Sequence, residues 1–333
     1  MASWMLSCVL SERRSSSLKE RSDYWIENNV TEVNEFLLIG FQGSKNMRIS
    51  LLCLLLVVYC LTLCGNLLII TLVSTSKNIH TPMYFFISHL SISDILLTSD
   101  IVPNMFHILL NNGGTITFIG CMTQFCFFGT AETFECLLLT VMSYDRYVAI
   151  CNPLHYISIM TSTFCVILVI VCWLISFFNG FIYIFTLSRL KFCGANIIDH
   201  LFCDLVPLIE MSCSDTFLMK VQMYLLSIPV LIIPSIIIVI SYVNIVLVIL
   251  RIPSNISRQK AFSTCSSHLI VVTIFYCTLF SVYVLPTRGQ TSNLNKVISL
   301  LYTVFTPLVN PIIYSFRNKD IKKSAQNAIQ KYL

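Results

Sequence analysis

The stretch "MSYDRYVAIC", Met142 to Cys151, places Asp145 and Arg146 side by side where an almost wholly apolar run comes to its end. That run begins at Cys136. A charged side chain costs about 3 kcal/mol at the centre of a bilayer on insertion scales, so charges are rare inside membrane helices. An acid and a base at the end of an apolar run therefore indicate a helix that reaches the surface of a hydrophobic solvent.

The composition indicates that this solvent is a lipid bilayer. Of the 333 residues, 56% are hydrophobic and only 11% are charged, and the mean hydropathy is +0.80. An average soluble protein contains about 25% charged residues. Apolar runs long enough to cross about 30 Å of hydrocarbon as a helix cover residues 48–74, 82–110, 118–149, 163–186, 220–250, 259–286 and 293–315.

These runs predict an all-α membrane protein, a seven-transmembrane-helix bundle, because a spanning helix satisfies its own backbone hydrogen bonds. Basic residues in short loops tend to stay in the cytosol. Those that follow spans 1, 3, 5 and 7 define one side: Lys77, Arg146, Arg251, Arg258, Lys260, Arg317, Lys319, Lys322 and Lys323. Residues 111–117, between spans 2 and 3, contain neither lysine nor arginine. The N-terminus is therefore predicted to lie outside and the C-terminus in the cytosol.

This orientation divides the chain into an extracellular tail, residues 1–47, a membrane domain, residues 48–316, and a cytosolic tail, residues 317–333. Residues 1–24 form an atypical extension whose basic residues follow its apolar stretch, the reverse of a signal peptide. Asn29 begins an Asn-Val-Thr sequon on the outer side, so we predict glycosylation there. In the cytosolic tail, apolar residues at helical spacing predict a short amphipathic helix on membrane lipid. A frayed tail is the alternative.

Four of the 15 cysteines are predicted to lie on the outer side, at Cys121, Cys193, Cys203 and Cys213. Most of the others lie within spans, where a thiol acts as a small apolar side chain. The outer side is oxidising, so two disulfides are expected, but four cysteines allow three pairings. A zinc site is the competing interpretation, and it is disfavoured because no two of these four outer cysteines have the close spacing of zinc ligands.

Polar groups inside the spans indicate where function resides, because each is costly and is usually kept for use. They are Asn66, Asp94, Glu132, Glu135, Asn310 and the Asp145/Arg146 pair. At 100° per residue, one face of span 3 carries Phe128, Glu132, Glu135, Leu139, Met142 and Arg146. This face is predicted to point into the bundle, since its charges cannot face lipid.

Together these residues carry a resemblance to a known family. "MSYDRYVAIC" is similar to the Asp-Arg-Tyr signature of rhodopsin-like G-protein-coupled receptors, in the long form of vertebrate olfactory (odorant) receptors. Further matching motifs, in order, are "GN" at 65–66, "HTPMYFFISHLSISD" at 80–94, "CNPLHY" at 151–156, "SY" at 241–242, "KAFSTCSSH" at 260–268 and "PLVNPIIYSFRN" at 307–318. The resemblance covers about residues 29–323. It departs at Ser143, where alanine is usual, and at Cys277 in "FYCT", where glycine is common.

The resemblance implies an activation switch at the cytosolic side. Asp145 restrains Arg146 at rest, and Arg146, next to Tyr147, turns toward the G protein on activation. Residues 260–268, beginning at Lys260, resemble the segment that moves outward, although a polar helix end with basic anchors is the alternative. In span 7, the matching switch residues are Asn310, Pro311 and Tyr314.

The resemblance also implies interior and outer sites. Asp94, Glu135 and Asn310 resemble a polar site that holds a sodium ion, with a hydrogen-bonded cluster without sodium as the alternative. No other cofactor is expected. Cys121 with Cys203 matches the family's disulfide, which leaves Cys193 with Cys213.

The family binds small, mostly apolar volatiles among the outer halves of its helices. The predicted ligand-binding residues are Phe128, Glu132, Thr133, Tyr276, Tyr283 and Thr303. For each of them, simple packing within the bundle is the alternative interpretation. Glu132 is costly without a partner, so we hypothesise that it favours a basic ligand such as an amine.

The predicted function is that of an odorant receptor that activates the olfactory stimulatory G protein and raises cyclic AMP. It is expected at the plasma membrane of sensory neuron cilia, with no nucleic-acid partner. A rhodopsin-like receptor for another small molecule is the alternative. A secondary transporter would show internal repeats, and none is seen. An enzyme is not predicted, because His89 and His107 are 18 positions apart (107 − 89) and cannot share a site.

Overall fold

The computed structural model describes residues 33–76, 81–192, 196–283 and 292–317, together with residues 321, 326 and 330. Within these residues, seven long helices follow one another: α1 (Lys45–Thr75), α2 (Pro82–Asn111), α3 (Phe118–Cys151), α4 (Ser162–Leu187), α5 (Phe217–Arg251), α6 (Asn255–Tyr283) and α7 (292–317). Six are long and apolar enough to span a membrane, and α6 contains a shorter apolar segment, Cys265–Ser281. The predicted seven-helix bundle is confirmed.

Local sequence fixes where the helices begin. The hydroxyl of Ser44 accepts a hydrogen bond from the Met47 amide at 3.3 Å and caps α1. Thr117 caps α3 in the same way through the Gly120 amide, at 3.1 Å. Such caps satisfy amides that have no partner within the helix. Pro82 stands at the start of α2, where a missing amide hydrogen costs nothing.

Helix α3 runs through the centre of the bundle and packs against α2, α4 and α5, while α1 packs against α2 and α7. Its inward side chains include Phe128, Phe134 and Met142, all at most 1% exposed. By contrast, α1 leaves leucines such as Leu54 and Leu61 exposed, as expected of a helix that faces lipid. The polar face predicted for span 3 therefore lies in the bundle interior.

A small sheet covers the outer end of the bundle, and the sequence did not predict it. Strands β1 (Glu35–Leu38), β2 (Gly114–Thr117) and β3 (Ile197–Ile198) lie in the order β2-β1-β3. Strand β1 pairs antiparallel with β2 and parallel with β3. Phe36 and Leu38 are fully buried. The sheet thus ties the N-terminal segment to the α2–α3 and α4–α5 loops.

Two helices contain a wider π-helical turn, at Ile228–Ile232 in α5 and at Leu301–Phe305 in α7. Such turns insert one extra residue and are frequent at functional sites. The turn in α7 buries Tyr302, Thr303 and Val304. It therefore directs part of the outer half of α7 toward the bundle interior.

The long α4–α5 loop returns over the outer end of the bundle and is tied to α3 by a disulfide between Cys121 and Cys203. It contains a short helix, Leu205–Met211, capped by Asp204. Cys213 is also disulfide-bonded. Cys193 lies outside the described residues, so its predicted pairing with Cys213 stays a prediction. Asn29 and residues 1–24 also lie outside them, as does most of the predicted amphipathic tail.

Candidate functional site

At the cytosolic end of α3, Asp145 has partners on both carboxylate oxygens. Arg146 forms an ion pair with Asp145 and donates from Nε to Oδ2 at 2.9 Å. Tyr156, in the short helix Tyr156–Ile159, donates its hydroxyl hydrogen to Oδ1 at 2.8 Å. Because Asp145 is fully buried, losing either partner would leave a costly unsatisfied oxygen. The arginine is therefore held back against its own helix.

Tyr156 belongs to the "CNPLHY" motif, but the sequence reasoning gave it no role. Burial raises the pKa of this phenol, and the negative charge of Asp145 raises it further. The hydroxyl therefore keeps its hydrogen and remains a donor to Asp145. The spacing of 11 positions between the two residues gave no signal, since the contact requires the chain to turn back after α3.

A second link joins α5 to α6 beside the arginine. The hydroxyl of Tyr242 and Nδ1 of His268 are 2.5 Å apart, and both residues are buried. Arg146 of α3 lies close enough to His268 for the two side chains to interact electrostatically. Tyr242 and His268 stand in the motifs "SY" and "KAFSTCSSH", yet the sequence reasoning predicted no contact between them. The side chain of Lys260 lies outside the described part, while Tyr147 is half-buried against the core.

Midway along the bundle, α1 supplies a hydrogen bond that a proline removes from α7. Pro311 has no amide hydrogen, so the carbonyl of Pro307, four positions earlier, has no donor within the helix. The side-chain amide of Asn66 donates to this carbonyl at 3.1 Å. A Cβ on Gly65 would lie 3.1 Å from Cβ of Pro311. The "GN" pair in α1 therefore provides both the space and the hydrogen bond that Pro311 requires.

The same layer of the bundle contains the carboxylates predicted to bind sodium. Asn310 donates from Nδ2 to both oxygens of Asp94, at 3.1 and 3.2 Å. Glu135 on α3 lies against Asp94 and Ser93. Both oxygens of Glu135 and Oδ1 of Asn310 lack a hydrogen bond of normal geometry. The structure thus brings Asp94, Glu135 and Asn310 together, although they come from three different helices.

Toward the outer end of the bundle, aromatic side chains cover the interior. The ring of Phe128 lies 5.3 Å from Phe202 of the α4–α5 loop and 6.0 Å from Tyr302 of α7. All three are at most 1% exposed. Phe202 and Tyr302 were missed by the sequence reasoning. The place of Phe202 next to Cys203, whose disulfide reaches α3, was the available signal.

The remaining predicted ligand residues are divided between two sides of α3. Thr133 accepts a hydrogen bond from Asn179 of α4 at 3.2 Å, and the charge of Glu132 acts on Tyr183 of the same helix. Tyr276 of α6 donates to the carbonyl of Cys136 at 3.0 Å. Thr303 is fully buried and bonds within α7. The side chain of Tyr283 lies outside the described part. The ligand-binding role of all of them stays a prediction.

Two residues of α7, Lys296 and Ser299, make three polar contacts at the outer end of the helix. Lys296, only 1% exposed, donates to the carbonyl of Gly40 at 2.7 Å and forms an ion pair with Asp199. His200 lies 3.2 Å from the Phe202 carbonyl through Nδ1 and 3.2 Å from the Ser299 hydroxyl through Nε2. A carbonyl only accepts, so Nδ1 carries the hydrogen.

The imidazole of His200 is neutral at ordinary pH. Burial lowers its pKa, and the positive charge of Lys296 acts in the same direction, while Asp204 and Asp199 oppose them. In the neutral ring, Nε2 accepts from Ser299. We call the Lys296–Gly40, Lys296–Asp199 and His200–Ser299 contacts together the outer latch.

Comparisons with known proteins agree with this arrangement. The family model described as Olfactory receptor matches residues 53–331. Olfactory receptor 11L1 of Homo sapiens is 46% identical over 303 residues, which cover 91% of this chain and 94% of that protein. Olfactory receptor 5G9 of Mus musculus is 44% identical over 305 residues, 92% of this chain and 97% of that protein. The chain therefore belongs to the olfactory receptor family, whose members are multi-pass G-protein-coupled receptors of the plasma membrane and not enzymes.

Proposed function

We propose that this receptor binds a small volatile odorant within the bundle, activates the stimulatory olfactory G protein and so raises cyclic AMP in sensory cilia. The observation that carries the proposal is Arg146, held by Asp145 at the cytosolic mouth of the bundle. Ion pairs of this kind can be exchanged for other partners when helices move. Release of Arg146 would free its guanidinium for the G protein.

The contacts between α3 and α6 provide a route from ligand to switch. Tyr276 bonds to α3 at the carbonyl of Cys136, close to the predicted ligand residues. Two turns further toward the cytosol on the same helix, His268 pairs with Tyr242. A ligand that displaces Tyr276 would therefore tilt α6 and pull on the contacts beside Arg146. This mechanism needs no contact between the ligand and the switch itself.

We propose an enclosed, mainly apolar ligand site lined by Phe128, Glu132, Thr133, Tyr276, Tyr283 and Thr303. The rings of Phe202 and Tyr302 add an upper wall. Small-molecule sites in proteins are commonly apolar cavities with a few polar groups that fix orientation. A carboxylate at Glu132 in such surroundings favours a ligand that carries a positive charge, so an amine is the proposed ligand class.

The first test measures cyclic AMP in cells that express the receptor with the olfactory stimulatory G protein, during exposure to a panel of volatiles that includes amines. We expect a ligand-dependent rise that Arg146→Ala abolishes and Glu132→Gln reduces at least tenfold in potency for amines. Arg189→Ala, on the outer side, is the matched control and should respond as wild type.

Surface expression of each variant is measured in parallel. An unchanged response in Arg146→Ala would contradict the switch. Unchanged amine potency in Glu132→Gln would contradict the ligand class while leaving the switch intact. A response through another G protein alone would contradict the proposed coupling.

We also propose that Asp94, Glu135 and Asn310 hold a sodium ion. Two adjacent buried carboxylates repel each other unless a cation or a proton intervenes. The acceptor oxygens without normal hydrogen bonds on Glu135 and Asn310 are suited to a hard cation, which prefers oxygen ligands.

If sodium binds, the purified receptor unfolds at a higher temperature in sodium chloride than in choline chloride of equal concentration, because a ligand stabilises the state it binds. Asp94→Asn should remove the difference, whereas Asp215→Asn, at an exposed outer position, should retain it. Equal melting temperatures of wild type in the two salts would favour a hydrogen-bonded cluster without sodium.

A further inference from the structure

A recess of about 120 Å³ lies at the outer end of the bundle, between the start of α1 and the end of α2. It is smaller than the usual small-molecule site, which begins at about 300 Å³, but larger than the share of one water molecule, about 30 Å³. It therefore suits the head of a molecule whose remaining part lies outside it. We call this space the outer recess, and its walls are Lys45, Arg48, Ile49, Leu52, Leu109 and Leu110.

The guanidinium group of Arg48 is only partly engaged within the described part of the protein. Its Nη1 donates to the carbonyl of Leu109, in the last turn of α2, at 3.0 Å. Its Nε is buried and has no hydrogen-bond partner among the described residues, whereas buried donors are nearly always satisfied. Nε shares with Nη2 the edge through which arginine holds phosphate or carboxylate by two parallel hydrogen bonds. The unused edge therefore favours an anion with paired oxygen atoms.

The charged residues that line the outer recess are both positive. Lys45 lies three positions before Arg48 in α1, so the two side chains are neighbours on the helix surface. No aspartate or glutamate of the described residues lines the space, and its other walls are apolar. Two cations without a carboxylate between them attract anions. The recess therefore combines a preference for negative charge with a hydrocarbon surface.

An apolar stripe leads from the outer recess along the lipid side of α1. Its members are spaced 4, 3 and 4 positions apart (53 − 49, 56 − 53 and 60 − 56) and so share one face of the helix. They are all exposed, and they are Ile49, Cys53, Leu56 and Cys60. At 1.5 Å per residue the stripe is about 16 Å long. Hydrocarbon attached to a head group in the recess therefore has a continuous apolar surface to lie on.

We propose that the outer recess binds the phosphodiester group of a glycerophospholipid from the outer leaflet. Lys45 and the unused edge of Arg48 hold the phosphate oxygens, and an acyl chain lies along the stripe that begins at Ile49. Free phosphate would leave this stripe unused, and an uncharged lipid would leave both cations unused. The site faces the membrane, so it is separate from the odorant site proposed within the bundle and does not depend on it.

The test measures binding of a phosphatidylglycerol that carries a diazirine in one acyl chain to the full-length receptor in maltoside micelles. The phosphodiester is the only charged group of this lipid. A diacylglycerol with the same diazirine chain is the neutral analogue. After irradiation, the protein is digested with chymotrypsin, which does not cleave at lysine or arginine, and mass spectrometry locates the attached lipid. We expect attachment within residues 49–60, at a lower half-saturating concentration for phosphatidylglycerol than for diacylglycerol.

Three variants separate charge from geometry. Lys45→Gln leaves the bond between Arg48 and Leu109 intact and should weaken binding about two- to fivefold, the scale of an exposed ion pair. Lys45→Gln with Arg48→Gln should weaken it about tenfold or more, because charge-assisted hydrogen bonds are lost as well. Arg48→Lys keeps the charge but lacks the paired edge, so its effect should lie between those of the other two variants.

Arg189→Gln is the matched control, because Arg189 is an exposed basic residue at the outer end of α4 whose guanidinium lies over Phe185. It should bind the lipid as wild type does. Melting temperatures of all variants are measured in parallel. If Arg48→Gln lowers stability by releasing the Leu109 carbonyl, Lys45→Gln alone decides the outcome.

Attachment within residues 49–60 that weakens in the Lys45 and Arg48 variants but not in Arg189→Gln would support the site. Unchanged binding in the double variant would overturn it and leave Arg48 as a partner of α2 only. Equal binding of the two lipids, or attachment spread evenly over all lipid-facing helices, would also overturn it. Displacement of the lipid by an equal concentration of inorganic phosphate would identify a site for free phosphate and contradict the lipid assignment.

Discussion

Asn66 illustrates how one side chain can compensate for a backbone defect on another helix. Pro311 leaves the carbonyl of Pro307 without a helical donor, and the Asn66 amide supplies the missing hydrogen. In the bilayer, water is not available to replace it. The two residues are far apart in sequence, so only the packing of α1 against α7 explains why an asparagine stands within an apolar span.

We expect Asn66→Leu to lower the melting temperature of the purified receptor by several degrees. The variant leaves the buried Pro307 carbonyl unsatisfied, at a cost of about 1–3 kcal/mol. The matched control is Asn244→Leu, because the Asn244 side chain donates to the Ile240 carbonyl of its own helix and, among the described residues, to no other helix. Equal melting temperatures for Asn66→Leu and wild type, measured by thermal denaturation in nanodiscs, would refute the compensation.

Among the structural elements, the sheet depends on a sharp turn where α2 ends. Asn112 and Gly113 both have positive φ, 59° and 125°, which reverses the chain into β2. A residue other than glycine is strained at the φ of Gly113. A Cβ there would also lie 3.3 Å from the carbonyl oxygen of Leu38 in β1. This turn therefore sets the pairing of β1 with β2.

Gly113→Ala should destabilise the receptor by about 1–3 kcal/mol, the usual cost of a strained backbone position. Gly129→Ala is the matched control: Gly129 lies within α3 and a Cβ there meets no atom within 4 Å. Alanine is favoured over glycine inside helices, so the control should match or exceed the wild-type melting temperature. Equal losses in the two variants would argue against strain at the turn.

At the scale of the whole molecule, the outer latch joins three distant parts of the chain. Lys296 in α7 holds the carbonyl of Gly40, near the N-terminal strand, and Asp199 of the α4–α5 loop. His200 of that loop holds Ser299. The latch covers the same end of the bundle as the sheet and the Cys121–Cys203 disulfide. Its stability should therefore respond to conditions on the outer side of the membrane.

We expect acid to weaken the latch through His200. Burial lowers the pKa of His200 below the ordinary value of about 6.5, so the unfolded chain binds a proton more readily than the folded receptor does. The stability that neutral His200 contributes is therefore complete above pH about 6.5 and is lost as the pH falls below it. Melting temperatures at pH 7.5 and 5.5 measure this loss.

The variant His200→Gln should show a smaller decrease between the two pH values than wild type. His155→Gln is the matched control, because His155 is exposed on the cytosolic side, and it should retain the wild-type decrease. If His200→Gln and wild type lose equal stability in acid, the titration of another group is responsible and the role assigned to His200 is wrong.

The sequence by itself determined the membrane class, the seven spans and the family, and it predicted the ion pair between Asp145 and Arg146. The reason is physical: a bilayer imposes long apolar helices that are readable from composition, and Arg146 pairs with its own neighbour, Asp145. The residues predicted for the sodium site also came together, since charges inside spans must face the bundle. The sequence motifs identified Asp94, Glu135 and Asn310, but they did not predict which hydrogen bonds join these residues.

Only the tertiary structure decided which residues meet across helices and loops. Phe202 against Phe128, Tyr156 with Asp145, Tyr242 with His268, and the latch all join segments whose separation carries no periodic signal. The three-stranded sheet escaped prediction because strands of two to four residues are too short to show alternation. Such contacts depend on how helices pack and where loops return, and these are set by the whole bundle rather than by any one stretch of sequence.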